Sequence, residues 1–332
     1  MKVAITGVDR DIGAGRRLVI DRLEFEPATT TVLFGPNGAG KSSLVRILSG
    51  TLPGGPGIPV AYLPQRPYVF RGPARRSLLL GLDDDGGSRA VELAERLGVA
   101  GILGRRAREL SGGERRRLGL ARALAGPERV VALDEPFSDI DVVDRADVRS
   151  TVAEAIAGRA AVIVTHDRDD AAAIGDRLVV LVAGSVRQAG PVAEVLALPA
   201  DEIVAGVLGA ANLIPGTVQD RADRLVGLDA GFGVVWGMGD APRGSSAVAV
   251  FGAETVTVYR GHDAGTGSAR NRWAGVVEAT RPVGRLIEVA VEVGTGRLVA
   301  LLTPGSSDAL DLHEGAEVTL AAKATAVRIM VR

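Results

Sequence analysis

Eight residues, Gly35-Pro36-Asn37-Gly38-Ala39-Gly40-Lys41-Ser42, fit the spacing G-x-x-x-x-G-K-[ST]. Glycines at these positions let successive backbone N–H groups curl around phosphate oxygens, and a helix starting there adds positive potential. Lys41 can then reach the β- and γ-phosphates of a nucleotide, and the Ser42 hydroxyl, followed by Ser43, can ligate Mg2+. Further along, Val130-Val-Ala-Leu-Asp134-Glu135 is an apolar run ending in two carboxylates. Asp134 suits a metal held through water, and Glu135 suits a general base or orienting group for an attacking water. Between them stands Leu110-Ser111-Gly112-Gly113-Glu114. Ser111 and Glu114 have the spacing of a capping box, so a helix begins here and its N-terminus offers an anion site. The basic run Arg115–Arg117 reads as a solvated helix face rather than a nucleic-acid patch.

These residues need elements to hold them. Thr30 to Phe34, Val130 to Leu133 and Ala160 to Thr165 are short aliphatic runs, each followed by a turn and a helix-like stretch. That rhythm predicts an α/β domain with a buried, largely parallel sheet. Ser43 to Leu48 suits the helix after the phosphate loop, with Gly50 as its stop. Residues 66–125 are rich in Arg and Leu with few strand signals, which predicts a helical insertion. After about residue 210 the pattern becomes short Val-rich alternations such as Ala247 to Phe251 and Leu286 to Val293, separated by Gly-containing turns. This predicts an all-β second domain, a small barrel or sandwich.

The tail also repeats. Asn212-Leu-Ile-Pro-Gly216-Thr-Val218 matches Asn271-Arg-Trp-Ala-Gly275-Val-Val277 as N-x-x-x-G-x-V, and Ala253 to Val258 resembles Ala324 to Ile329. Two related β modules are expected, over residues 211–260 and 268–332.

Composition narrows the alternatives. With 3% aromatic residues the cores must be aliphatic. A formal net charge of −1 does not resemble the basic footprint of a nucleic-acid binder, and no nucleic-acid partner is expected. The absence of cysteine excludes disulfides and thiolate metal sites. The opening MKVAITGVD has one lysine and no long apolar run, unlike a secretory signal. No stretch is long and apolar enough to span a bilayer, so work at a membrane requires docking on another subunit.

Leu110 to Glu114, flanked by the phosphate loop and Asp134-Glu135, resembles the signature sequence of ABC ATPases. The resemblance covers residues 1–210 and implies an α/β P-loop ABC ATPase domain with a helical insertion. It implies ATP and Mg2+ as cofactors and hydrolysis of ATP. Gln65 in Ala61-Tyr-Leu-Pro-Gln65 resembles the Q-loop glutamine, which touches the metal or the attacking water. Ser138-Asp-Ile-Asp141 resembles the D-loop at the dimer interface; Asp139 and Ile140 depart from the usual SALD, while Asp141 is retained. His166 resembles the switch histidine that contacts the γ-phosphate. The resemblance further implies that Ser111, Gly112, Gly113 and Asp141 serve the nucleotide held by a second copy, so that a homodimer makes the complete site. One departure stands out: the aromatic that stacks on adenine is replaced by Ile12 in Asp11-Ile12-Gly13. Weaker nucleotide binding is expected, by about 1 kcal/mol on the scale of aromatic contacts.

Ser268-Ala-Arg270-Asn271 and Lys323-Ala-Thr325-Ala-Val327 resemble the molybdate-binding Mop modules, within the transport-associated (TOBE) β domains that are OB-like in fold. The resemblance implies an importer motor at the cytoplasmic face of the cell membrane. Integral-membrane permease subunits and an extracytoplasmic substrate-binding protein would be its partners. Ser268, Arg270, Lys323 and Thr325 would hold the oxyanion, where fixed donors plus a point charge suit a tetrahedral dianion. Tungstate, sulfate, ferric iron or sugar are alternative cargoes, and a non-transport ABC ATPase or a catalytically dead oxyanion sensor are the remaining readings.

Overall fold

The computed structural model describes residues 2–13, 15–222, 225–261, 267–283 and 285–332. The chain divides into two compact units, Met1–Leu198 and Pro199–Arg332.

The first unit opens with an antiparallel hairpin, β1 (Val3–Gly13) and β2 (Arg16–Phe25). Then come β3 (Thr30–Phe34), α1 (Lys41–Leu48) and β4 (Ala61–Leu63). Three helices follow, α2 (Ala74–Leu79), α3 (Asp84–Arg96) and α4 (Gly112–Ala125). The unit closes with β5 (Val130–Asp134), α5 (Val142–Ile156), β6 (Ala160–Val164), α6 (Arg168–Ile174), β7 (Arg177–Val182), β8 (Ser185–Pro191) and α7 (Val192–Ala197). The main sheet has the order β4-β5-β6-β3-β7-β8, parallel throughout except for the edge strand β8.

Every residue of β3, β5 and β6 is buried, as the unbroken aliphatic runs require when both sheet faces are covered. One face packs with α2, α3 and α4 through Leu63, Leu78, Leu93, Leu120 and Leu133. The other packs against α1 and the β1–β2 hairpin through Leu18, Ile20, Leu44, Ile47 and Val162. The helical insertion is thus α2 to α4, between β4 and β5. α3 is started by Asp83, which accepts the Gly86 N–H, and by Asp84 and Asp85 in its first turn.

The second unit contains α8 (Glu202–Val207), β9 (Asn212–Ala222), β10 (Leu225–Asp229), β11 (Val234–Met238), β12 (Ser246–Phe251), β13 (Thr257–Arg260), β14 (Asn271–Val283), β15 (Leu286–Val293), β16 (Gly296–Leu302), α9 (Pro304–Ala309), β17 (Glu317–Ala322) and β18 (Arg328–Val331). The division at Pro199 lies before the expected residue 210, because Ala205 of α8 packs on Val248 and Val250 of β12.

The two repeated stretches pair their strands alike, but with exchanged ends. β9 pairs with β10 and β12, and β10 with β11; β14, β15, β16 and β17 repeat the same pairings. The last strand of each half crosses over. β18 pairs with β12 and closes the barrel β10-β11-β18-β12-β9, while β13 pairs with β17. The spatial halves are therefore not the sequence halves 211–260 and 268–332.

The repeated asparagine staples the halves together. Asn271 Oδ1 accepts the Trp236 N–H (2.7 Å) and its Nδ2 donates to the Trp236 carbonyl (2.8 Å). Asn212 does the same to Val299, at 2.7 and 2.9 Å. Both side chains are buried, so each satisfies a backbone pair that water does not reach. One 23-residue apolar cluster, from Ile214 through Val258 to Ile329, spans both halves.

Candidate nucleotide site

Gly40 ends the phosphate loop at φ 99° and precedes the first turn of α1. A Cβ there would lie 2.8 Å from Leu18 Cδ1 and 3.4 Å from Ile12 Cδ1, so only glycine lets the hairpin approach this closely. Lys41 is buried, and its ammonium donates to the Gly35 carbonyl (2.6 Å) and the Pro36 carbonyl (3.0 Å). Burial lowers the lysine pKa, opposed by the negative charges of Glu135 and Asp134. Ile12, Asn37, Gly38, Gly40, Lys41, Ser42, Ser43, Gln65 and Glu135 line one cavity of about 350 Å³. Residues from the hairpin, the loop, α1, the segment after β4 and the end of β5 thus converge. Gly35, Pro36 and Ala39 complete the loop itself, with Ala39 buried and its N–H donating to the Pro36 carbonyl.

Asp134 is buried at the tip of β5, and Ser42 Oγ donates to its Oδ1 (3.1 Å). Burial pushes the Asp134 carboxyl pKa up, and the Ser42 hydrogen bond opposes this. A carboxyl with a raised folded-state pKa costs stability once it ionises. That cost is absent below the ordinary aspartate value of 3.8 and sets in as pH rises through it. Asp134→Asn is therefore expected to raise the thermal midpoint of the nucleotide-free chain at neutral pH, with the gain shrinking on acidification. A neutral-pH midpoint that is unchanged or lowered contradicts this.

Glu135 takes the left-handed backbone conformation (φ 51°). Its Oε1 lies 3.4 Å from His166 Nδ1, with the histidine ring largely exposed beyond β6. His166 shares a second, smaller cavity with Glu135, Phe137, Ser138 and Thr165. The segment after His166 is held by Arg145 of α5, which donates to Asp167 (2.9 Å) and to the buried Asp170.

Ser111 caps α4 with the full capping box: its Oγ accepts the Glu114 N–H (3.2 Å), and Glu114 Oε2 accepts the Ser111 N–H (2.7 Å). Ser111, Gly112, Gly113 and Asp141 line a depression of about 650 Å³ together with Arg117, Asp139 and Asp144. None of these lines the cavity that holds Lys41.

Two features of the site carry no local mark in the sequence. Arg16 of β2 lays its guanidinium against Gly38, close enough that a Cβ there would meet Nη1 at 1.9 Å. No local pattern marks it; only the hairpin's fold over the loop brings it there. Of the run Arg115–Arg117, expected to be a solvated face, Arg115 is exposed as expected, with its Nε donating to the Leu110 carbonyl (3.1 Å), but Arg116 is buried and Arg117 pairs with Asp144 (2.9 Å). α4 is enclosed on that side by the turn after β5, which a helical periodicity cannot reveal.

In the second unit, the register Asn271↔Ala322 places Arg270 and Lys323 one step beyond that pair, at the same end of two neighbouring strands. Arg270 sits 3.7 Å above the Trp236 ring, Lys323 precedes the turn Ala324–Ala326, and Ser268, Lys323 and Thr325 are exposed. The equivalent positions of the first half, beyond Asn212↔Phe251, carry Ala211 and Gly252, with Glu254 in place of Thr325. Of the 39 basic residues only Lys2, Lys41 and Lys323 are lysine. Position 323 thus keeps a compact ammonium in a chain that otherwise uses the planar guanidinium.

Comparison with known proteins identifies the family. Residues 20–138 match the ABC transporter model and residues 267–329 the TOBE domain model. The molybdate/tungstate import ATP-binding protein WtpC of Pyrococcus horikoshii is 30% identical, over 90% of this chain and 91% of its own. The molybdenum import ATP-binding protein ModC of Mycobacterium tuberculosis is 32% identical over 75% and 76%. The Fe(3+) ions import ATP-binding protein FbpC of Rhizobium etli is 33% identical over 68% and 73%. A solved bacterial Atm1-family ABC exporter with ATP bound shares the fold at a TM-score of 0.55 and 20% identity, over 62% of this chain and 41% of that one. With a phosphate loop, a carboxylate pair and a capped signature helix set on one α/β frame, and a β unit of the TOBE type following in the sequence, this chain belongs to the ATP-hydrolysing subunits of ABC importers.

Proposed function

We propose that this chain powers the import of molybdate or a similar tetrahedral oxyanion, working as a homodimer against permease subunits at the cytoplasmic face of the membrane. An extracytoplasmic binding protein would deliver the cargo. Among the described residues no helix is long and apolar enough to cross a membrane, so the path across the bilayer falls to those other subunits. The observation that carries the cargo assignment is the placement of Arg270 and Lys323 one step beyond the last pair of β14 and β17, a combination absent from the first half. Ser268 and Thr325 would add hydroxyl donors. An import ATPase for ferric iron is the second reading, supported by the similarity to the Rhizobium protein, whose match covers less of the chain than that of the Pyrococcus one.

In the ATPase site, Lys41 and the backbone N–H groups of residues 37–43 would take the phosphates, and Ile12 would cover the base. Glu135 would orient or deprotonate the attacking water, and His166 would contact the γ-phosphate. Ser42, Asp134 and Gln65 offer only oxygen donors, and the first two already lie in contact. Such a set fits Mg2+, which keeps water and phosphate oxygens among its ligands. The ion would supply charge neutralisation at the phosphates. Ser111, Gly112, Gly113 and Asp141 open onto a different depression from Lys41, which supports their serving a second copy's nucleotide. A groove of about 760 Å³ lined by Val69, Phe70, Arg71, Pro73, Arg106 and Arg108 supports a permease contact through an acidic cytoplasmic segment.

Titrating the full chain with molybdate, tungstate and sulfate tests the cargo assignment. Binding of molybdate at micromolar levels, weakened at least about tenfold in Lys323→Ala through loss of a charge-assisted contact, is expected. No oxyanion binding by the intact chain would remove the oxyanion-binding part of the proposal and leave the importer motor standing.

A further inference from the structure

Arg116 lies on α4, one turn beyond the capped end that carries Ser111 to Gly113. Its side chain is only 6% exposed, an unusual place for a guanidinium unless it is tied down. Nη1 donates to the Glu135 carbonyl at 2.7 Å and reaches the Asp134 carbonyl at 3.4 Å. Nη2 donates to Asp139 Oδ2 at 3.3 Å.

The Glu135 carbonyl also accepts the Ser138 N–H (3.3 Å) and the Ser138 hydroxyl (3.0 Å). Three donors thus converge on one oxygen, that of a residue at φ 51°. Left-handed backbone is disfavoured for any residue with a Cβ, so something must hold it. The carboxylate leaves Glu135 in the direction this conformation sets. Asp139 is also left-handed, at φ 59°. Its carbonyl presses on Gly113, where a Cβ would stand 2.6 Å away. The first turn of α4, the turn around Asp139 and the main chain of Glu135 are therefore clasped by one side chain.

We propose that Arg116 is a positioning residue for Glu135: it fixes the backbone that aims the carboxylate and, through Asp139, ties that aim to the position of the Ser111–Gly113 end of α4. The inference rests on the reading of Glu135 as the group that handles the attacking water. Arg116 touches no reacting atom. Displacement of α4 pulls on the Glu135 carbonyl, so movement of the helical insertion reaches the hydrolytic carboxylate. Lysine has one donor centre in place of the planar fork and cannot hold the carbonyl and Asp139 together.

Steady-state ATP hydrolysis by the purified full chain tests this, with Arg116→Lys, Arg116→Ala, Asp139→Asn and Glu135→Gln assayed beside the parent. Arg116→Lys and Arg116→Ala are expected to lower kcat at least about tenfold with KM for ATP changed less than about twofold, the pattern of a lost transition-state interaction. Asp139→Asn, whose side chain is 65% exposed and whose fold is not at stake, is expected to lower kcat by a smaller factor. Combined with Arg116→Lys it should add little, because both remove the same clasp. Parent-like kcat in Asp139→Asn and Arg116→Lys, with Glu135→Gln inactive, overturns the role of Arg116 alone. Parent-like turnover by Glu135→Gln overturns the reading of Glu135 and this inference with it.

Discussion

Glu135→Gln is expected to lower steady-state ATP turnover about 100- to 10,000-fold, the usual share of a positioned acid–base group, while ATP binding survives. The amide keeps the size of the carboxylate and can still face His166, but it cannot accept a proton or carry the charge that orients water. The phosphate cradle of Gly38, Gly40, Lys41 and Ser42 is untouched by the change. ATP should therefore be bound and not consumed. If Ser111 and its glycines close over a second copy's nucleotide, the variant accumulates as an ATP-bound dimer, visible by size-exclusion chromatography with ATP and lost with ADP. A variant that turns over at the parent rate removes Glu135 from the role given to it.

The second large effect concerns stability. Asn271→Leu keeps the branching and number of heavy atoms of the side chain, in a bulkier form, but removes both hydrogen bonds to the Trp236 main chain. The Trp236 N–H and carbonyl are then left without their buried partner, at about 1–3 kcal/mol each. A loss of roughly 2–6 kcal/mol is expected for the second unit, read as a lower urea midpoint in tryptophan fluorescence. Both tryptophans, Trp236 and Trp273, belong to that unit. Asn212→Leu should behave alike through Val299. A midpoint within error of the parent in both variants contradicts the staple.

Much of the nucleotide site was legible because its chemistry is contiguous. The phosphate loop, the capping box at Ser111 and the carboxylates after β5 each carry their meaning in neighbouring residues. The aliphatic runs before them mark buried parallel strands by composition alone. What the sequence left dark depends on partners distant in the chain. Arg116 has the same local context as a solvated arginine, and only the turn at Asp139 encloses it. Arg16 belongs to a hairpin whose alternation shows which face is buried, not that its tip lies over Gly38. The repeat N-x-x-x-G-x-V is plain in the sequence, but nothing local shows that its asparagine is the joint between halves. A period of two residues says which face of a strand is buried and nothing about which neighbour it chooses. That is why the exchange of β13 and β18 was invisible.

The exchange also sets an order of events for the growing chain. Most of the barrel is made early, but Ala247 to Val250, paired on one edge with β9, find their second partner only in Val331 to Arg328, at the far end of the second half. Until that strand emerges, one edge of β12 stays open, and β13 has no partner until β17 has been made. Neither half can finish without the other, so the two complete together in one late step. Pairings that span this much chain are slow to form, and an open strand edge is a place where foreign strands add. Folding of this unit is thus expected to be its most exposed moment.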